Sequence, residues 1–398
     1  MNRREFLEFL TVMGAVAMLP WEEGEAEPAA QIAVGPVAAG KPTRVFLSGL
    51  RPHASDAAMK SAVRAAAEAA TDFAWLHKGD TVFIKPAHNA DKCYPASTHP
   101  VAVAAMIALL KEKGAGRVIV GDMAGFQRLH LSPHKLRGST RRMMEATGMA
   151  QAVQAAGGEL HFFEEDGWNA FYEDGPPSGG HWKSGLMMPN ILKEADHIVL
   201  MPRCARHVIA GSTLGMKAAV GYWRTDTRVE YHRYAASLLE KTAEANTVET
   251  LLKKQRLVLT AADKVLATFG PDDGEVVEPE TGLVIASPSV VAHDMASLAW
   301  LLENRRALPP SKAHTFTDSN HWFARLANRH VVSVLKDWPT SLVSERLTKY
   351  ELNTIWDDPV LNRAYQVFGG MPVVTLEAAN NDLPEDLRKR LSRMVVRT

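Results

Sequence analysis

Three residues of one short run, His207, Lys217 and His232 in HVIAGSTLGMKAAVGYWRTDTRVEYH, carry side chains that can do chemistry near neutral pH. An imidazole there moves protons as a general acid or base, or binds a metal when neutral. A lysine binds anions, and becomes a nucleophile or base where burial lowers its pKa. Gly211, Gly215 and Gly221 let backbone approach another group closely. Ser212 and Thr213 add hydroxyls beside exposed amides, a combination suited to an anionic group. The expected roles are acid/base for His207, anion clamp or cofactor anchor for Lys217, and metal ligand for His232.

The run follows directly on HIVLMP, an apolar strand-like stretch, and other strand-like stretches end in polar residues too. VFIKP ends in Lys85, followed by His88, Asn89, Thr98 and His99; VIVGD ends in Asp122; HIVLMP is followed by Arg203 and Arg206. RLVLTAAD ends at Asp263, and the next unit reaches His293 and Asp294. In open α/β sheets, ligands bind beyond the carboxyl ends of the strands. Lys85, Asn89, His99, Asp122, Arg206, Gly211, Ser212 and Thr213 are therefore the expected ligand-binding set. Each has a plainer alternative. Lys85 suits a solvated loop, Asp122, Asp263 and Asp294 suit turn or helix caps, His99 suits the entry to the helix after Pro100, and the glycines suit turns.

The elements that must position these residues alternate. Strand-like stretches at 44–50, 80–86, 116–122, 159–166 and 197–202 are interleaved with helical spacing at 56–76, 101–114 and 141–158. RLVLTAADKVLAT and TGLVIASPSVVAHDMASLAWLLE add two further strand-to-helix units. That alternation predicts an α/β fold with a mostly parallel sheet and helices on both faces. Residues 306–398 read as a mostly helical C-terminal extension, ending in the basic segment DLRKRLSRMVVRT.

The chain has 398 residues, with 45 Lys plus Arg against 45 Asp plus Glu, so no global basic field points to nucleic acid. Two cysteines, Cys93 and Cys204, exclude a disulfide scaffold and a four-cysteine cluster built from this chain alone. No GxGxxG, Walker A, HExxH, GxSxG or CxxC motif occurs. The start, MNRREFLEFLTVMGAVAMLP, pairs Arg3 and Arg4 ahead of an apolar stretch, the pattern of a twin-arginine export signal. That stretch is interrupted by Glu8 and falls short of the roughly 20 residues of a membrane span. The expected organisation is a signal over 1–30, a linker over 31–43, an α/β domain over 44–305 and the extension. The expected location is periplasmic or otherwise extracytoplasmic, without a stable membrane span.

VFIKPAHN, THPVAVAAMIALLKEKGAGRVIVGDMAG, ADHIVLMPRCARH, GSTLGMKAAVGYWR and the VVAHDMASL helix together resemble the family called domain of unknown function 362. The resemblance spans roughly 44–300. It implies an exported α/β protein, in a family many of whose members carry a ferredoxin-like cysteine module. This chain lacks those cysteines, so no iron–sulfur cluster is expected. Where the family has Lys-x-His it has Cys204-Ala205-Arg206-His207, and Ala218 rather than Asn follows Lys217. A more distant similarity is to the lactate racemase family, which shares a His, a glycine-rich turn to a Lys ten residues on, and a further His. That similarity implies an organometallic nickel pincer cofactor covalently held by Lys217, with His232 ligating nickel and His207 moving a proton. Three readings follow: an enzyme binding a small anionic molecule, a non-catalytic partner or assembly protein of a redox complex, and a metal-pincer racemase or isomerase.

Overall fold

A computed structural model describes residues 38–268, 270–309, 321–335 and 344–397. The expected signal and most of the linker lie outside them. Eight strands form one sheet: β1 (Ala39–Leu50), β2 (Thr81–Pro86), β3 (Arg117–Asp122), β4 (Glu159–Phe162), β5 (His197–Met201), β6 (Gln255–Ala262), β7 (Gly282–Ser287) and β8 (Met371–Ala378). Their order is β8-β1-β7-β6-β5-β2-β3-β4. Neighbours from β6 to β4 run parallel, as do β8 and β1, while β7 is antiparallel to both its neighbours. The fold is α/β with a mostly parallel sheet, as the alternation predicts.

The strands bury both faces because alternate residues point opposite ways. Val82 and Ile84, Val118 and Val120, and Val199 and Met201 pack under α1 (Asp56–Ala70) and α2 (Pro100–Glu112). Phe83, Ile119, Ile198 and Leu200 face the opposite core. That second core is covered by α3 (Gly215–Ala218), α4 (Thr225–Arg233), α5 (Val290–Asn304) and α6 (His321–Leu335) among others. Ser55 caps α1 by accepting from the Ala58 amide, and Pro100 occupies the first turn of α2, where a missing N–H costs nothing.

Three local expectations change. RLVLTAADKVLAT is not a strand-to-helix unit, because β6 is followed by a two-residue strand, Val265–Leu266, and no helix intervenes before β7 among the described residues. The helix read over 141–158 is two short helices, Thr140–Ala146 and Met149–Ala155, interrupted at Thr147-Gly148. The C-terminal region is mainly helical, yet it contributes β8, paired in parallel with β1 at the sheet edge. Val374 and Leu376 are buried there while Val373 and Thr375 are exposed, the period of two that a half-covered edge strand requires. Among the described residues, no helix is long and apolar enough to cross a membrane.

Candidate functional site

β5 ends at Met201, and the chain then makes a small antiparallel hairpin, Ala205–His207 with Gly211–Thr213, before entering α3. That path puts His207 and Lys217 on the wall of one cavity beyond the carboxyl edge of the sheet. His232 and Arg228 reach the same cavity from α4, one turn apart on one helix face. Asn89 comes from the loop after β2, Asp272 from the loop after β6, and Ala327, His330 and Val331 from α6. Phe126 and Val220 supply apolar wall. The cavity measures about 120 Å³. One water needs about 10–15 Å³ and drug-sized pockets begin near 300 Å³, so this space suits a molecule of a few carbons.

The two imidazoles present opposite polarity. His207 Nδ1 accepts from the amides of Ile209 at 3.1 Å and Ala210 at 3.2 Å. Its proton therefore sits on Nε2, and the ring offers the cavity a donor. Burial, reinforced by Lys217 and Arg203, holds its pKa well below the usual histidine range. His232 is reversed. Its Nδ1 lies 2.8 Å from Asn328 Oδ1, and the Asn328 amide nitrogen donates to the His232 carbonyl and to Ser344 Oγ, which fixes the amide's orientation. His232 thus donates from Nδ1 and keeps a lone pair on Nε2. Burial, followed by Lys217, pulls its pKa down to about 3.

Lys217 has no hydrogen-bond or ion-pair partner among the described residues; its amine lies 5.5 Å from the centroid of the Tyr231 ring. Burial, then Arg203, Arg228 and Lys85, lower its pKa to about 7. The turn that carries it is pinned from outside. Asp294 on α5 accepts from the Gly215 and Met216 amides at 2.8 Å each and lies 2.9 Å from His293 Nδ1. A Cβ at Gly215 would come within 2.7 Å of the Asp294 carboxylate, so the turn needs glycine there. Behind the cavity, Arg203 is 1% exposed, and none of its guanidinium nitrogens has a hydrogen-bond partner among the described residues. Burial pulls its pKa down to about 10, against Asp272 and Asp122. Asp272 is pushed up by burial, which Arg203 opposes.

Most of the rest of the expected ligand-binding set is engaged by the protein itself. Lys85 sits 2.8 Å from Asp122 and donates to the carbonyls of Pro86 at 2.7 Å and Ala218 at 3.3 Å, filling all three N–H positions. Asp122 also accepts from the amides of His88 and Met123. A Cβ at Gly221 would overlap this ion pair, so that glycine lets the backbone approach Lys85 and Asp122 while it lines the cavity. His99 is the N-cap of α2, accepting from the Val101 amide. Arg206 donates to the Gly211 carbonyl, and the Ser212 amide donates to the Ala210 carbonyl. Gly211, Ser212 and Thr213 are buried in the hairpin and do not line the cavity. Of the expected residues, the cavity gathers His207, Lys217, His232 and Asn89.

Sequence reasoning missed Arg228, Asp272, Asn328 and His330. Arg228 carried a signal, its spacing four residues ahead of His232. Its guanidinium donates to the carbonyls of Ala124 at 2.6 Å, Met123 at 2.8 Å, Trp223 at 2.9 Å and Gly221 at 3.2 Å; burial lowers its pKa to about 10, against Asp122 and Glu164. Asn328 and His330 stand on a C-terminal helix with no motif to mark them.

Two solved structures are similar. The lactate racemase apoprotein of Thermoanaerobacterium thermosaccharolyticum aligns with a TM-score of 0.38 and 13% identity, covering 62% of this chain and 54% of that one. A protein from Thermotoga maritima aligns with a TM-score of 0.36 and 15% identity, covering 53% and 51%. The chain thus spans about half the length of each. No curated protein matches its sequence. The family described as Domain of unknown function (DUF362) matches residues 82–299, more than half of the chain, and the chain belongs to that family.

Proposed function

We propose that this protein binds a small anionic molecule in the cavity at the carboxyl edge of the sheet, with Lys217 as the central contact. One observation carries the reading. Lys217 enters the cavity with cations around it and, among the described residues, no carboxylate paired with it, whereas Lys85 is fully partnered. A surplus of positive charge in a poorly solvated space favours an anion, because Coulomb attraction there is several-fold stronger than in water. Asp272, the acid of the wall, is biased toward its neutral form by burial and so opposes an anion little. His207 would donate from Nε2 to a ligand oxygen, and His232 would accept at Nε2. Acid–base work by His207 as first expected would require its ring to give up the two amide bonds at Nδ1. Thermal shift and calorimetry with acetate, lactate, pyruvate and phosphate test the reading. Stabilisation by at least one anion, lost in both Lys217→Ala and His207→Ala, is expected; no stabilisation, or binding unchanged in both variants, contradicts it.

A second reading has its own observation. Asn328 takes the Nδ1–H of His232 and leaves Nε2 as a lone pair, the orientation that metal-bound histidines adopt. His232 fits one metal bond, and Lys217 has an amine to hold an organic group. A cavity of about 120 Å³ does not fit a bulky cofactor frame, and we derive no step through one. Metal analysis with intact mass on natively produced protein decides: no bound metal and no added mass on Lys217 remove this reading. Arg3 and Arg4 ahead of an apolar stretch support export through the twin-arginine route. Replacing both arginines by lysine should trap the chain in the cytoplasm on fractionation, and unchanged export would reject that route.

A further inference from the structure

We infer that Lys217 takes a small 2-oxo acid as a covalent imine, the carbonyl carbon bonded to its Nζ and the carboxylate held among the surrounding cations. The inference rests on the anion-site reading above and narrows its ligand from any small anion to a carbonyl-bearing carboxylate.

Three lysines make the case by contrast, Lys85 and Lys241 in the core and Lys217 half-buried on the cavity wall. Lys85 is an ammonium with every N–H given to an acceptor, one of them Asp122 at 2.8 Å. Lys241 donates to the carbonyls of Glu230 at 3.5 Å and Tyr234 at 3.4 Å. Lys217 alone of the three lines the cavity, and among the described residues its amine has no hydrogen-bond or ion-pair partner. Cations close by and poor solvation disfavour its ammonium form, the arrangement that turns a lysine into a nucleophile toward carbonyl carbon. A pKa near 7 leaves a large share of the amine with its lone pair free at neutral pH.

The cavity also supplies what the step consumes. The Nζ lone pair bonds to the carbonyl carbon, the C=O π pair moves to oxygen, oxygen gains a proton and nitrogen loses one. The resulting carbinolamine is protonated on its hydroxyl and loses water as the nitrogen lone pair closes C=N; the iminium then gives up its remaining N–H proton, which replaces the one consumed at the hydroxyl. Amine plus ketone gives imine plus water, with no net oxidation. The sequence needs a hydrogen-bond donor at the oxygen and an acceptor for the nitrogen's proton. His207 carries N–H on Nε2, fixed by the Ile209 and Ala210 amides, and His232 carries a lone pair on Nε2, fixed by Asn328. A cavity of about 120 Å³ admits an acid of three or four carbons and little more.

The test treats the full chain with pyruvate and cyanoborohydride, which reduces an imine to a stable secondary amine, and maps adducts by peptide mass. One saturable adduct per chain on Lys217 is expected, formed well ahead of any on the exposed Lys135 and suppressed by excess lactate, an anion of similar shape without the ketone. Lys217→Arg keeps the cation and should lose the adduct; His207→Phe should slow it. If the arginine variant does not fold, the map of the unaltered chain still decides. Failure to label Lys217, or labelling no faster than Lys135, overturns the imine. Should lactate or pyruvate stabilise the fold while no adduct forms, the imine falls and the anion site stands; should neither stabilise it nor label it, both fall.

Discussion

Lys85 ends β2 and Lys217 sits on the turn of α3, and both lie at the carboxyl edge of the same sheet. Lys85 faces Asp122 and two carbonyls; Lys217 faces a tyrosine ring and an open cavity. Burial lowers the pKa of both, but only for Lys85 does a neighbouring carboxylate pull it back up. The two lysines differ in whether an acid comes with them: Asp122 pairs with Lys85, and Lys217 has no ion-pair partner among the described residues. The Lys85–Asp122 pair is a rivet joining β2 to β3, and through Ala218 it reaches the turn that carries Lys217.

The largest effect that would break this contrast is on stability. Lys85→Met strands Asp122 as a buried charge, and removing one partner of a buried pair costs about 3–5 kcal/mol. Lys217→Met removes an amine with no partner and replaces it with an apolar chain, so its cost should stay below about 1 kcal/mol. Urea unfolding of the two variants compares them directly. Equal losses would mean that Lys217 is as structural as Lys85.

The next effect is on pH. His88 and His232 have folded pKa values of about 4 and about 3, against an ordinary 6.5, both held down chiefly by burial. Their folded values lie below the unfolded ones, so stability is fully present above about pH 6.5. As pH falls toward 4 the unfolded chain binds protons that the folded chain refuses. Each histidine should then remove about 1.4 kcal/mol per pH unit across that window. Melting temperatures that stay flat between pH 6.5 and 4.5 would show that these rings are solvated.

Smaller effects sharpen the positioning of Lys217 and His232. Asp294→Asn turns an amide nitrogen toward the Gly215 or Met216 N–H, which should cost about 1–3 kcal/mol and reduce adduct formation at Lys217. Unaltered labelling in that variant would free Lys217 from dependence on α5. Asn328→Ala should cost about 1 kcal/mol and let the His232 proton move between ring nitrogens. Nitrogen NMR of labelled histidine reads this as a change of tautomer; an Nδ1–H form that persists in the variant would remove Asn328 from the account.

Much of the sheet was legible because parallel strands buried on both faces are short apolar runs, and several were followed by a helical period. β8 was harder. MPVVTLEA alternates, but it lies in a weakly patterned region and pairs with β1 from the far end of the chain. The shared cavity was legible where chemistry and glycine coincided in one run, as at His207, Lys217 and His232, which line it together. It was misleading at Lys85, Asp122 and Arg206, whose types suit a ligand equally well. Only three-dimensional pairing reveals that each is already satisfied. Asp294 illustrates the limit. A carboxylate near the start of a helix predicts a cap on that helix, yet it caps the turn of α3, where Met216 lies 78 residues earlier in the chain. Asn328 and His330 had no local signal at all, since their relation to His232 exists only once α6 packs on α4.

The most direct measurement of the central contrast is competitive acetylation of the folded chain across pH 5 to 10, with the extent at each lysine read by peptide mass. Lys217 should titrate with a midpoint near 7, well ahead of exposed lysines, while Lys85 stays unlabelled at every pH where the fold persists. A Lys217 midpoint near the ordinary lysine value of 10.5, or protection of Lys217 equal to that of Lys85, would contradict the account.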